Sequence, residues 1–342
     1  MSMTALLERL TTPAPGTPAA LRCNLCAHRC TIAPGEAGFC GAIQHTGEGL
    51  RSLVSGRPVL MHADPIERKP LYHVRPGVRL LSLGTAGCTL RCAFCQNWRL
   101  SQSAPVQHPA PPPVRPEAVI VAAQEQGCAG IAFTYNEPTV WLDYVAEVMR
   151  EAKRAGLLTV LNTNGYLTPE AIAALDSDNL LDAVNVDLKG FRDAWYREVC
   201  QGNLPPVCDA ITHLHHRRVW VEVTTPLIPG HNDSDGELTR LAEFLARLSV
   251  DIPWHVWRFH PDYRMQSQAW THPHDLERAV AIGRGAGLRY VYSSNTPGSP
   301  HQHTICPHCN EVLIARHGVT ITEIRLHNGV CGACGQAIAG AF

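Results

Sequence analysis

The sequence has no surplus of charge of either sign. Lys and Arg number 29 against 30 Asp and Glu, a net charge of −1 over 342 residues. The basic excess of a dedicated nucleic-acid binder is missing, and electrostatics name no partner. No run approaches the roughly 18 apolar residues of a membrane span. The first ten residues lack the charged region and long apolar stretch of a secretory leader. A cytoplasmic protein, with no membrane partner, is expected. No internal repeat of solenoid period is present. Hydrophobic residues make up 45% of the chain, enough for one large domain with small appendages or for two ordinary domains.

Cysteine, by contrast, is abundant. There are 14, and in a reducing compartment their clustering points to metal or redox chemistry rather than to disulfides. Eleven fall into three groups: Cys23, Cys26, Cys30 and Cys40; Cys88, Cys92 and Cys95; Cys306, Cys309, Cys331 and Cys334. Cys128, Cys200 and Cys208 stand apart and read as small buried hydrophobes.

The middle group follows the apolar run Leu80–Leu83 and counts three cysteines. Iron–sulfur cubanes take four thiolates, so three leave one iron open, as a catalytic zinc keeps an open position for a ligand. A zinc knuckle completed by a distant residue is the competing reading. Cys-x3-Cys-x2-Cys with an aromatic, Phe94, before the last cysteine resembles the signature of the radical S-adenosylmethionine (SAM) superfamily. That resemblance implies a [4Fe–4S] cluster whose open iron chelates SAM. It also implies an electron donor of the flavodoxin or ferredoxin kind, and a 5′-deoxyadenosyl radical that abstracts hydrogen from a substrate.

Beyond Cys95, short apolar runs alternate with helix-patterned segments, the rhythm of a parallel α/β fold. Strands are expected near 80–83, 130–135, 158–162, 183–188, 219–225 and 254–260, with a seventh candidate at 288–293. The expected fold is a partial TIM-like (β/α)6 radical SAM barrel with a small cysteine-rich N-terminal appendage and a zinc-ribbon-like C-terminal one. Residues 1–20, rich in Thr, Pro and Ala, read as a flexible lead-in. Residues 21–75 form the cysteine-rich segment, 76–298 the core and 299–342 the C-terminal module. Pro109–Pro113 reads as a stiff connector. A helix over Thr139–Ala155 should bury Val140, Tyr144, Val145 and Val148, turn Glu147, Arg150, Glu151 and Lys153 to water, and end at Gly156.

In such folds chemistry sits at the carboxyl ends of the strands. Thr134-Tyr-Asn-Glu-Pro138 resembles the superfamily's Gly-Gly-Glu-Pro element, with Tyr135 and Asn136 in place of the glycines. The resemblance makes Glu137 a candidate for the SAM amino group; capping the next helix is the competing role. Asn162 and Asn164 share a strand face and suit a ribose or carboxylate, although Asn164-Gly165 is also ordinary turn chemistry. Asp187 and Lys189 share another face and either neutralise each other or bracket SAM or substrate. The Asp-Leu-Lys string resembles the matching strand of glycyl-radical activating enzymes. Glu222, Thr224 and Thr225 add polar groups to the next strand. Arg258 suits a carboxylate, and His260 is either a pocket residue or a core histidine.

The C-terminal cysteines read as two knuckles of a structural zinc site. The N-terminal four suit zinc or an auxiliary Fe–S cluster equally by count, and zinc is the slightly favoured expectation. The order of all these parts, with Asp64–His73, Cys95-Gln-Asn-Trp98 and Asn295-Thr-Pro-Gly298 between them, resembles the AmmeMemoRadiSam system radical SAM enzyme family, which is similar to pyruvate formate-lyase activating enzymes. The family name implies Memo-like and AMMECR1-like partners. A glycyl-radical activase is a second enzymatic reading, and a non-catalytic zinc-stapled binding module a reading of another class.

Overall fold

A computed structural model describes residues 5–103, 111–176 and 179–342. Its centre is one eight-stranded sheet: β1 (Leu60–Pro65), β2 (Arg79–Gly84), β3 (Gly130–Phe133), β4 (Leu158–Thr163), β5 (Ala183–Asp187), β6 (Trp220–Leu227), β7 (Trp254–Arg258) and β8 (Val291–Ser294). The spatial order follows the sequence order without a reversal. β2 to β8 run parallel, and β1 pairs antiparallel with β2. Among the described residues β1 and β8 do not pair, so the sheet is an open strip.

The sequential order has a physical consequence. Crossovers between parallel strands are right-handed, so with no switch point the helices all cover one face and leave the other as a concave interior. The helix over Leu142–Arg154, entered through a 3-10 turn at Pro138–Trp141, shows the outer face. Tyr144, Val145 and Val148 are buried, while Glu147, Arg150, Glu151 and Lys153 reach its wet side. Gly156, at φ +70°, ends it as expected.

The floor of the interior is plugged by the segment joining β1 to β2. Glu222 accepts the backbone N–H groups of Tyr72 (2.9 Å) and His73 (2.8 Å), the Trp220 indole N–H (3.0 Å) and His255 Nε2–H (2.7 Å). Glu222 is therefore a structural anchor with its acceptor sites occupied. Thr225 lies on the opposite face and accepts Trp254 Nε1–H.

Three expectations need correction. The core begins before residue 76: Leu60–Pro65 is an edge strand of the main sheet, a position that tolerates its proline. Residues 5–20 are not a flexible lead-in. Leu6, Leu7 and Leu10 are buried, Leu7 N–H donates to Asp143 (2.8 Å), and Thr11–Pro13 pairs with Leu21–Cys23. Buried leucines and ladder bonds outweigh the Pro- and Ala-rich composition; residues 1–4 lie outside the described residues, as does part of the Pro109–Pro113 connector. A seventh parallel strand, β8, is formed where six were the base expectation.

The C-terminal module is a three-stranded antiparallel sheet, Thr304–Ile305, Val312–His317 and Thr320–Ile324, followed by a short hairpin. It packs on β8 through Tyr72, Tyr290, Tyr292 and Ile314. Arg316 is wholly buried there, its guanidinium 4.1 Å from the Tyr72 ring centroid and bonded to Tyr72 O. Among the described residues, no helix is long and apolar enough to cross a membrane.

Candidate active site

A cavity of about 790 Å3 opens at the carboxyl ends of the strands, within the size range of small-molecule sites. Cys88, Cys92 and Cys95 lie along its wall, together with Phe94, Asn136, Asn162, Asn164, Asp187, Lys189 and Thr224. The three cysteines sit on the loop after β2. That loop is held from several sides. Asn136 accepts Thr85 N–H (3.0 Å) and donates to Gly87 O (2.7 Å), so its amide braces the loop. Asn164 Nδ2 bridges Cys88 Sγ (3.6 Å) and Thr89 Oγ1 (3.0 Å). Ser101 Oγ is 3.1 Å from Cys95 Sγ. Gly87 has φ +90°, and a Cβ there would stand 2.8 Å from Cys40 O, so only glycine lets the N-terminal module close on the loop.

The chemistry of this donor set fits an iron–sulfur cubane. The loop offers three thiols to the cavity and no fourth, and hydrogen-bonding groups stand ready for sulfur at Ser101 and Asn164. Burial pushes the Cys88 thiol well up, and the neighbouring Glu137 charge adds to it; a metal is what would stabilise thiolates here. Cys200, read from sequence as inert, stands behind Cys92: the Cys92 thiol donates to it and this, with burial, pushes Cys92 well up.

Lys189 donates to Asp187 at 3.0 Å, and the pair forms part of the cavity wall. Burial opposes the Lys189 charge, but Asp187 and Cys92 outweigh it and hold the ammonium well above its usual range. Lys189 Nζ also lies 5.9 Å from the Phe94 ring, which stacks on Trp195 at 5.9 Å. The two charges neutralise each other, as one sequence reading has it, and they face the cavity. Thr224 contributes a buried hydroxyl that finds no hydrogen-bond partner among the described residues.

Three sequence candidates lie elsewhere. Glu137 does not line the cavity. Its Oε1 accepts from Thr139 N–H (3.1 Å), Thr139 Oγ1–H (2.6 Å) and Thr163 Oγ1–H (2.9 Å), and its Oε2 from Asn164 N–H (2.8 Å). The capping role prevails because those bonds consume the carboxylate. Burial pushes its pKa up while these donors pull the other way. Arg258 stacks on Trp270 (5.1 Å) and bonds Thr271 O (3.3 Å). The two-residue strand period turns Trp257, not Arg258, towards the cavity. His260 packs edge-on against the same Trp270 at 4.4 Å.

The sequence reading gave no role to a cluster from β1. Asp64 accepts Tyr135 O–H (2.6 Å) and Lys69 Nζ (3.0 Å), and Lys69 sits 4.9 Å from the Tyr135 ring. All three line the cavity. Tyr135 has φ +71°, so the position aligned with a glycine does adopt the left-handed conformation that glycine tolerates best. The available signal was the Asp64…Lys69 spacing beside an apolar run, hidden by the assumption that it belonged to the N-terminal segment.

Outside the cavity, Cys306, Cys309, Cys331 and Cys334 bring their sulfurs within 4.8 Å of one another, with Cys306–Cys334 and Cys309–Cys331 both at 3.7 Å. Thiolates on a tetrahedral zinc at about 2.3 Å stand about 3.8 Å apart, so the geometry fits.

The Radical SAM superfamily profile matches residues 82–242. An uncharacterized protein of Methanocaldococcus jannaschii is 35% identical over 321 residues, covering 93% of this chain and 95% of that one. The pyruvate formate-lyase-activating enzyme of Listeria monocytogenes is 26% identical over 194 residues, covering 53% of this chain and 77% of its own. A radical SAM methyltransferase structure from Sphaerobacter thermophilus superimposes with a TM-score of 0.50 at 17% identity, over 65% of this chain and 68% of that chain, a likeness of fold.

Proposed function

The chain carries a Radical SAM superfamily domain, and on that premise we propose that Cys88, Cys92 and Cys95 hold a [4Fe–4S] cluster at the wall of the cavity in which SAM binds. When bound, the cluster supplies the electron that cleaves SAM to methionine and a 5′-deoxyadenosyl radical, which takes hydrogen from the substrate. Cys88, Cys92 and Cys95 supply the thiolates, and Ser101 and Asn164 supply polar hydrogens next to them. Asp187 and Lys189 present a fixed pair of opposite charges at the cavity wall, available to polar groups of SAM or the substrate. Asn162 and the Thr224 hydroxyl offer hydrogen bonds to its ribose or to the substrate. Phe94 and Trp195 form an apolar wall that keeps water from the cysteine loop.

Three cysteines without a fourth, at the wall of a cavity with unsatisfied polar groups, carry this reading. A flavodoxin- or ferredoxin-like protein is the electron donor it calls for, the cytoplasm the compartment, and the C-terminal quartet a structural zinc site. Memo-like and AMMECR1-like proteins are the proposed partners in presenting the substrate. Anaerobic reconstitution followed by EPR and 5′-deoxyadenosine assay tests the core chemistry. A cubane signal perturbed by SAM, with cleavage lost in the Cys88→Ala, Cys92→Ala, Cys95→Ala triple variant, supports it. A well-folded wild type with zinc, no iron and no cleavage returns the protein to the zinc-stapled binding class.

A second reading, activation of a glycyl-radical enzyme, draws on Asp187-Leu-Lys189 and on the Listeria relative. A glycyl EPR doublet on mixing with a candidate glycyl-radical enzyme would favour it; SAM cleavage without any such doublet would count against it.

A further inference from the structure

The two four-cysteine groups differ in geometry. In the C-terminal group the sulfurs already stand at zinc spacing. Cys23, Cys26, Cys30 and Cys40 instead surround a cavity of their own, closed by Leu25, Ile32, Ile43 and Val140. Among the described residues, no three of these four sulfurs come within 4.8 Å of one another. A single zinc ion draws four thiolates to edges of about 3.8 Å. A cubane spreads them farther, because an inorganic core stands between its ligands.

The place of this cavity also matters. Thr89, next to Cys88, is part of its lining. His28, between Cys26 and Cys30 in sequence, reaches Thr89 O at 2.8 Å, and Arg91 bonds Phe39 O at 2.7 Å. Ala27 N–H donates to Tyr166 O, which fastens the module to the loop after β4. The quartet's cavity thus borders the cysteine-triad loop at Thr89, the residue after Cys88.

We propose that Cys23, Cys26, Cys30 and Cys40 bind a second iron–sulfur cluster of the cubane class, set beside the site of the first. Four thiolates close its coordination, so it takes no substrate. Its position suits it to hold an electron next to the triad, delivered by a reduced one-electron carrier.

The test is a metal and sulfide count on the full-length protein reconstituted anaerobically with iron and sulfide, with zinc measured on the same samples. Two cubanes predict about eight iron and eight sulfide per chain, against about four for one, with about one zinc from the C-terminal group. The Cys88→Ala, Cys92→Ala, Cys95→Ala variant should keep about half the iron, and its remaining EPR signal should be indifferent to SAM. This separates failure of the second site from failure of the first. A Cys23→Ala, Cys26→Ala variant should also lose half the iron while its zinc stays constant, which reports that the C-terminal module still folds. Wild-type protein with about four iron and either one or two zinc would overturn the proposal, as would a triad variant devoid of iron.

Discussion

The carboxylate of Glu137 accepts the backbone N–H of Asn164 at 2.8 Å and so ties the end of β3 to the end of β4. The same carboxylate takes the Thr139 N–H and the Thr163 hydroxyl. Glu137→Ala leaves these buried donors unpaired and should cost roughly 3–5 kcal/mol. A lower Tm and poorer iron loading are expected, with the KM for SAM of the loaded fraction nearly unchanged. A normal Tm with a greatly raised KM would show that the carboxylate reaches SAM.

Tyr135 holds a left-handed backbone, and its hydroxyl bonds Asp64 at 2.6 Å. Both Tyr135→Gly and Tyr135→Ala remove the hydroxyl, but only alanine keeps a Cβ in that conformation. Thermal melts should place the alanine variant below the glycine variant by about 1 kcal/mol. Equal stabilities would mean that the positive φ carries no cost.

Cys200 stands against Cys92, and hydrogen bonds to cluster sulfurs set reduction potentials. With Cys92 held as a thiolate, the Cys200 S–H beside it becomes the donor, and a donor to sulfur favours the reduced, more negative state; Cys200→Ala should therefore keep its iron and shift the potential of the triad cluster downwards. Redox titration followed by EPR measures this, and an unmoved potential would make Cys200 mere filling.

Asp143 is held near the N-terminal helix, where burial pushes its carboxyl up to about 6 from 3.8. A raised carboxyl favours folding fully below pH 4, and that contribution is lost as pH rises through 6. Asp143→Asn removes the buried charge and keeps an acceptor for Leu7 N–H. The Tm difference between variant and wild type should be near zero below pH 4 and grow to a plateau above pH 6. Its upper bound is roughly 3 kcal/mol. A difference independent of pH would show that Asp143 does not titrate in this range.

Much of the fold was readable from the chain. The six expected parallel strands and the seventh candidate all form, because runs such as Ile131–Phe133 are apolar on both faces and can only be buried between layers. The Asn162/Asn164 and Asp187/Lys189 pairings also followed from the two-residue period and do meet the cavity. Leu60–Pro65 was not readable, since an exposed edge with a proline carries little strand signal. Arg258 and His260 were misplaced because nothing local announces Trp270, which holds both.

Which cysteines travel together and which strand ends bear polar groups could be read along the chain, because spacing and periodicity are properties of neighbouring residues. Where Glu137 spends its lone pairs, the presence of Asp64 and Lys69 at the cavity, and the spread of the N-terminal sulfurs emerge from the folded chain alone. Those outcomes depend on contacts between segments distant in the chain. Such contacts are set by packing and by the need to satisfy buried polar groups, neither of which a local pattern records.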